Sequence, residues 1–210
     1  MDIGLYNLKY PARRLIRGVL PHFSEVDPNW ISWWMLPVGV ATAAAYFLAP
    51  QGHPGLYLVG VALILLRMLL GTLDGLVAVH YGKATQRGEL VNRLAPEVCD
   101  VLYLTALAAA RPEWRVLGIS ACALAWMTSF TGLLGAVVGK PTQSVGPVGQ
   151  TDRLAALLLT SVVAFVAEGR GWRVDVIGLF LVWALLGGTV TVFLRVHRHL
   201  QSVRSSSHTS

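Results

Sequence analysis

Asp74 is a carboxylate inside the long apolar run from Leu56 to Val79, and Arg67 precedes it in the same run. Ionisable residues within a membrane-spanning stretch are costly, so they mark a functional hypothesis by default. At helical spacing Arg67, Gly71, Asp74, Gly75 and Ala78 share one face. That face sets small residues around a carboxylate, which lets a neighbouring helix or a ligand approach the backbone closely. A buried Arg67–Asp74 pair that only holds helices together is the structural alternative. A second group follows in GELVNRLAPEVCD, where Asn92, Pro96 and Asp100 recur every four residues with Glu97 beside them. Pro96 lacks an N–H and suits a first helical turn, so the third helix is expected to begin near it, with Asn92 before that start. Glu97 would then sit in the first turn, where the helix dipole alone is reason enough for a negative charge.

The elements that must position these residues follow from composition. The chain has 210 residues, 54% hydrophobic and 13% charged, with mean hydropathy +0.57. A soluble domain carries about 25% charged residues. The apolar residues come in blocks, which excludes a disordered chain, an ordinary soluble globule and a nucleic-acid-binding domain, despite a net charge of +6 and a pI near 9.7. Cys99 and Cys122 lie in apolar stretches and form no CxxC pair. Residues 1–22 hold Lys9, Arg13, Arg14 and Arg17 without a long apolar run, so no cleavable signal peptide is expected.

Spanning a bilayer core takes roughly 20 helical residues. Six segments qualify: Trp30–Ala49, Leu56–Val79, Pro96–Ala110, Val116–Val138, Leu154–Ala167 and Val174–Val196. The expected fold is an all-α integral membrane protein, a six-helix bundle, because helices satisfy their own backbone in lipid. Tyr6–Phe23 reads as a basic amphipathic helix lying on the membrane surface, with a solvated basic tail as the plainer alternative. The chain thus divides into a juxtamembrane segment (1–28), a membrane domain (29–199) and a polar tail (200–210). If both termini share one side, that side holds most of the basic residues, among them Lys9, Arg13, Lys83, Arg93, Arg153 and Arg198. The other side holds Arg111, Arg115, Arg170 and Arg173. The positive-inside rule therefore puts both termini in the cytoplasm, and a multi-pass protein of the cell (inner) membrane is expected.

The stretch GTLDGLVAVHYGKATQRGELVNRLAPEVCD resembles the signature of the CDP-alcohol phosphotransferases, D-x2-D-G-x2-A-R-x8-G-x3-D-x3-D. Asp74, Gly75, Ala78 and Gly88 match it in place. Pro28-Asn29-Trp30-Ile31-Ser32 is similar to the family's Pro-Asn-x-Ile-Ser/Thr start of the first span. Gly146-Pro147-x-Gly149-x-x-Asp152-Arg153 resembles a GP-x-GK-x-DR segment of one bacterial branch, with Gln150 in place of the Lys. Gly71, Val79, Asn92 and Pro96 depart from the signature, standing where it has Asp, Arg, Asp and Asp.

The resemblance implies transfer of a phosphate-linked group from CDP-diacylglycerol or another CDP-alcohol to a hydroxyl acceptor, with release of CMP. It implies Mg²⁺ or Mn²⁺ held at Asp74, Asn92 and Asp100, catalytic roles for Asp100 and Glu97, and substrate contacts from Arg67, Gly75, Ala78, Gly88 and Arg153. It also implies membrane lipid as a partner, no nucleic acid, and a homodimer. Proline cannot serve as a base, and three aspartate positions are lost. A family member without catalysis, binding lipid or nucleotide or acting as a membrane partner, therefore stands beside the enzyme as the alternative reading.

Overall fold

In the computed structural model, residues 18, 20–137, 139 and 141–207 are described, with side chains described through residue 201. All regular structure among them is helical. Most of the expected surface helix over Tyr6–Phe23 lies outside the described residues. Its last part, Leu20–Phe23, forms a 3-10 turn.

Six long helices follow: α1 (Pro28–Leu48), α2 (Gly55–His80), α3 (Gln86–Ala110), α4 (Arg115–Val137), α5 (Gln150–Gly169) and α6 (Val176–Ser207). Their starts are written locally. Asp27 caps α1 by accepting from Asn29 N–H at 2.9 Å, with Pro28 in the first position. Thr85 caps α3 by accepting from Gly88 N–H at 3.0 Å. Asp175 accepts from Gly178 N–H at 2.8 Å where α6 begins. Two of them end at glycines that adopt positive φ. Gly52 follows α1 with φ 97°, and Gly82 follows α2 with φ 65°.

Among the described residues, four segments are long and apolar enough to cross a membrane: Pro28–Gln51, Gly55–His80, Pro112–Val137 and Val176–Gln201. α3 and α5 are not among these four, and both carry charge, including Glu97 and Asp100 on one and Asp152 and Arg153 on the other. α3 also starts earlier than the proline suggested. The Thr85 cap and the Glu89–Arg93 pair at i,i+4 (2.8 Å) sustain a helix from Gln86, and Pro96 is carried in its interior. Asn92 is therefore helical, not in a loop. α6 continues through Ser207, into the segment read as a tail.

The main packing contacts run α1 to α2, α2 to α5, α5 to α6, α6 to α4, α4 to α3, and α3 back to α1, which closes a ring. Small residues make the close approaches. A Cβ on Gly118 would lie 2.5 Å from the Cβ of Ala108, so α3 and α4 meet almost backbone to backbone. The interior holds Tyr46, Tyr57 and Tyr103, with ring centroids 6.3 and 6.5 Å from Tyr46. Tyr46 and Ser161 share a hydrogen bond at 2.9 Å, joining α1 to α5 across the ring.

Candidate functional site

The last two turns of α2 and the first two of α3 run beside the N-terminus of α1, joined by the short Tyr81–Thr85 connection. Between them lies a cavity of about 410 Å³. Asp74, Gly75 and Ala78 line it from α2, Gly88, Glu89 and Asn92 from α3, and Pro28, Asn29 and Ser32 from α1. Lys83, Thr85 and Gln86 close its rim.

Asp74 is buried, and its Oδ2 accepts a short hydrogen bond from the Ser32 hydroxyl. Ser32 thereby fixes the carboxylate from the neighbouring helix. At Gly88 the backbone is approached closely, whereas Gly75 has ordinary contact distance. A Cβ on Gly88 would meet Asn29 Oδ1 at 2.8 Å, and one on Gly75 would lie 3.8 Å from Asn92 Nδ2. Lys83 does not reach inward as a free cation: its Nζ donates to the carbonyls of Ser24 at 2.7 Å and Val26 at 3.2 Å.

Of the residues singled out from sequence, this cavity gathers Asp74, Gly75, Ala78, Gly88 and Asn92. It does not gather the others. Asp100 Oδ2 accepts from Arg153 Nη2 at 2.9 Å in an ion pair whose side chains are 5% and 4% exposed. Arg153 Nη1 donates to Thr128 Oγ1 at 3.0 Å. Glu97 Oε1 accepts from Ser129 at 2.7 Å. Arg67 is buried in the mid-part of α2, and its Nε has no hydrogen-bond partner among the described residues. The result is a second polar centre inside the ring, fed by α2, α3, α4 and α5.

Arg195 of α6 joins that centre and was not expected there. It is buried, its Nε donates to Val145 O at 2.8 Å, and its Nη1 donates to Thr128 O. A basic residue at the end of an apolar run reads as a flanking charge, so nothing local marks Arg195 as internal. Ser32 and Asn29 had a signal, because both lie in the Pro-Asn-x-Ile-Ser run. Met35 had none. Its sulfur lies 3.2 Å from where a Cβ on Gly71 would stand.

The donor set bears on a divalent cation. Mg²⁺ and Ca²⁺ take six or more oxygen ligands, several of them carboxylate or water. The cavity offers Asp74, already holding Ser32, the amide oxygen of Asn92, and Glu89, which pairs with Arg93. Among the described residues no group of three or more His, Cys, Asp or Glu could hold a metal ion. An acidic multi-metal cluster does not fit these residues.

No family model matches the chain. It is 26% identical over 200 residues to the inner membrane protein YnbA of Escherichia coli (strain K12), a match covering 90% of this chain and 96% of that protein. Among solved structures it is similar to the Mycobacterium tuberculosis phosphatidylinositol phosphate synthase (PgsA1) with CDP-DAG bound, with TM-score 0.68 and 18% identity over 91% of this chain and 92% of that one. It is likewise similar to the same synthase in complex with manganese and citrate, with TM-score 0.69 and 17% identity over 91% and 88%. The likeness to these structures is one of fold.

Proposed function

We propose that this chain is a multi-pass inner-membrane protein of the CDP-alcohol phosphatidyltransferase type. It takes a CDP-linked lipid such as CDP-diacylglycerol and passes its phosphate-linked group to a hydroxyl acceptor in phospholipid biosynthesis, with CMP leaving. One observation carries this reading. Asp74, Gly75, Ala78 and Gly88, the signature residues retained in place, all line a single cavity together with Asn92. The fold shared with a synthase that binds CDP-DAG supports it.

In this reading the glycines and Ala78 admit the nucleotide against the helix backbone, and Ser32 holds the Asp74 carboxylate in place. The expected phosphate contacts Arg67 and Arg153 and the expected proton acceptors Asp100 and Glu97 lie in the second polar centre, so their proposed roles require a substrate that extends from the cavity to that centre. Of the ligands expected for Mg²⁺ or Mn²⁺, this cavity would offer only Asp74 and Asn92, because Asp100 is paired with Arg153 in the second polar centre. The membrane topology belongs to the same proposal: six spans, both termini cytoplasmic, a surface helix at the N-terminus, and a homodimer.

A second reading has its own observation. Gly71 stands at the signature's first aspartate with the Met35 sulfur 3.2 Å from where its Cβ would lie, and Asp100 is engaged by Arg153. These favour a family member that binds a CDP-linked lipid without transferring it. Binding and turnover measured on one preparation separate the two. Purified protein in lipid nanodiscs is titrated with CDP-diacylglycerol, and CMP is assayed with Mg²⁺, with Mn²⁺ and with chelator. CMP release supports the enzyme, saturable binding without CMP supports the second reading, and neither binding nor release rejects both.

A further inference from the structure

A second large cavity, of about 260 Å³, lies at the end of the bundle away from Asp74, where α3 and α5 finish and α4 and α6 begin. Arg111, Trp114, Glu168, Trp172, Arg173 and Asp175 give it its polar and aromatic lining, and alanine, valine and isoleucine side chains supply the rest. Three of its four charged groups are already engaged. Arg111 Nη2 pairs with Glu168 Oε1 at 3.4 Å and donates to Pro50 O at 3.2 Å, and the Tyr57 hydroxyl donates to the same carboxylate at 3.1 Å. Asp175 accepts from Trp114 Nε1 at 2.8 Å and from Gly178 N–H at 2.8 Å. Arg173 is exposed and makes no ion pair among the described residues.

An unbalanced guanidinium in a cavity calls for an anion, and its planar fork matches the oxygens of a phosphate. The other walls call for apolar substance beside that anion, and the apolar surface continues outward through Trp172 and Val174, 52% and 55% exposed. The place fits a lipid. α4 and α6 belong to the segments long and apolar enough to cross a membrane, and the cavity lies at their starts, the level of headgroups and interfacial tryptophans. Arg170, 5.8 Å over the Trp172 ring, adds a second cation there. The volume is below the roughly 300–1,000 Å³ of pockets that enclose a drug-sized molecule, so the cavity takes a headgroup while the acyl chains stay in the bilayer. We propose that it is a second lipid site, separate from the Asp74 cavity, which takes the phosphate headgroup of an anionic phospholipid with Arg173 as its phosphate contact. The inference rests on the membrane-spanning reading and is independent of whether the chain transfers a phosphate group. On the proposed topology the site faces the extracytoplasmic leaflet.

Native mass spectrometry of the full-length protein, released from detergent micelles carrying added phosphatidylglycerol, tests this by the affinity of the lipid it retains. Arg173→Gln is expected to weaken that affinity about tenfold, the loss of one charge-assisted contact, and Arg173→Lys to recover most of it. Arg115 is exposed at the same end of the bundle but does not line the cavity, so Arg115→Gln should change little. Equal affinity in wild type and Arg173→Gln would overturn the site, and an equal loss in Arg115→Gln would overturn the cavity as its place. Phosphatidylcholine held as tightly as phosphatidylglycerol would overturn the anionic headgroup. Inorganic phosphate that displaces equimolar phosphatidylglycerol would overturn a lipid as the occupant. None of these readings depends on CMP release, so the site and the proposed transfer fail separately.

Discussion

The sulfur of Met35 on α1 stands 3.2 Å from the point where a side chain on Gly71 of α2 would begin. Met35 is fully buried there. A side chain on Gly71 would therefore start in tight contact with a thioether from the neighbouring helix.

This contact makes the loss of acidic ligands a matter of packing as well as of residue type. Gly71→Asp alone is expected to destabilise the protein, because it forces a charge against a buried sulfur. Combining Gly71→Asp with Met35→Ala, Asn92→Asp and Pro96→Asp is expected to tighten Mn²⁺ binding at least tenfold, about 1.4 kcal/mol. Electron paramagnetic resonance titration of free Mn²⁺ reads this directly. Unchanged affinity in a folded quadruple variant would show that the cavity is not the place of a metal cluster.

Ser32 and Asp74 form the link between α1 and α2 at the cavity. Ser32→Ala leaves a buried carboxylate short of a donor. A hydrogen bond to a charged group contributes about 1.5–3 kcal/mol, so the Tm should fall by several degrees and binding of CDP-diacylglycerol should weaken with it. Ser32→Thr retains the hydroxyl and should rescue most of the binding.

Gly88 tests the cavity without touching its charge. A Cβ there would press on Asn29 Oδ1 at 2.8 Å. Gly88→Val should therefore lower affinity for the CDP-linked lipid at least tenfold and also lower the Tm, since the added atoms crowd Asn29 and the Thr85 cap of α3. Isothermal titration beside thermal unfolding separates the two effects.

The buried ion pair makes a prediction about stability. Removing one partner of such a pair costs about 3–5 kcal/mol, whereas replacing both by apolar residues is often close to neutral. Asp100→Leu and Arg153→Leu should each destabilise strongly. The double variant should be more stable than either single one, as measured by reversible unfolding in mixed micelles.

Much of this molecule can be read from its residues, and the unreadable part has a physical cause. Apolar runs mark α1, α2, α4 and α6, because a span has to be apolar along its length. Asp74, Gly75, Ala78, Gly88 and Asn92 sit on two adjacent helices joined by a short connection, so local periodicity brings them to one cavity. The start of α3 is not legible, because Pro96 reads as a first-turn residue, while the Thr85 cap upstream is what begins the helix. The Asp100–Arg153 pair joins positions 53 residues apart on non-consecutive helices, and no periodicity in either helix links them. Met35 against Gly71 is equally silent, since a methionine in an apolar run looks like any other core residue.

The most direct test is CMP release from CDP-diacylglycerol by the purified protein in nanodiscs, assayed across hydroxyl acceptors with Mg²⁺ or Mn²⁺. The proposed function predicts protein-dependent CMP release that Asp74→Asn abolishes while the protein stays folded. Release that is undiminished in folded Asp74→Asn, or no release with any acceptor, would contradict it.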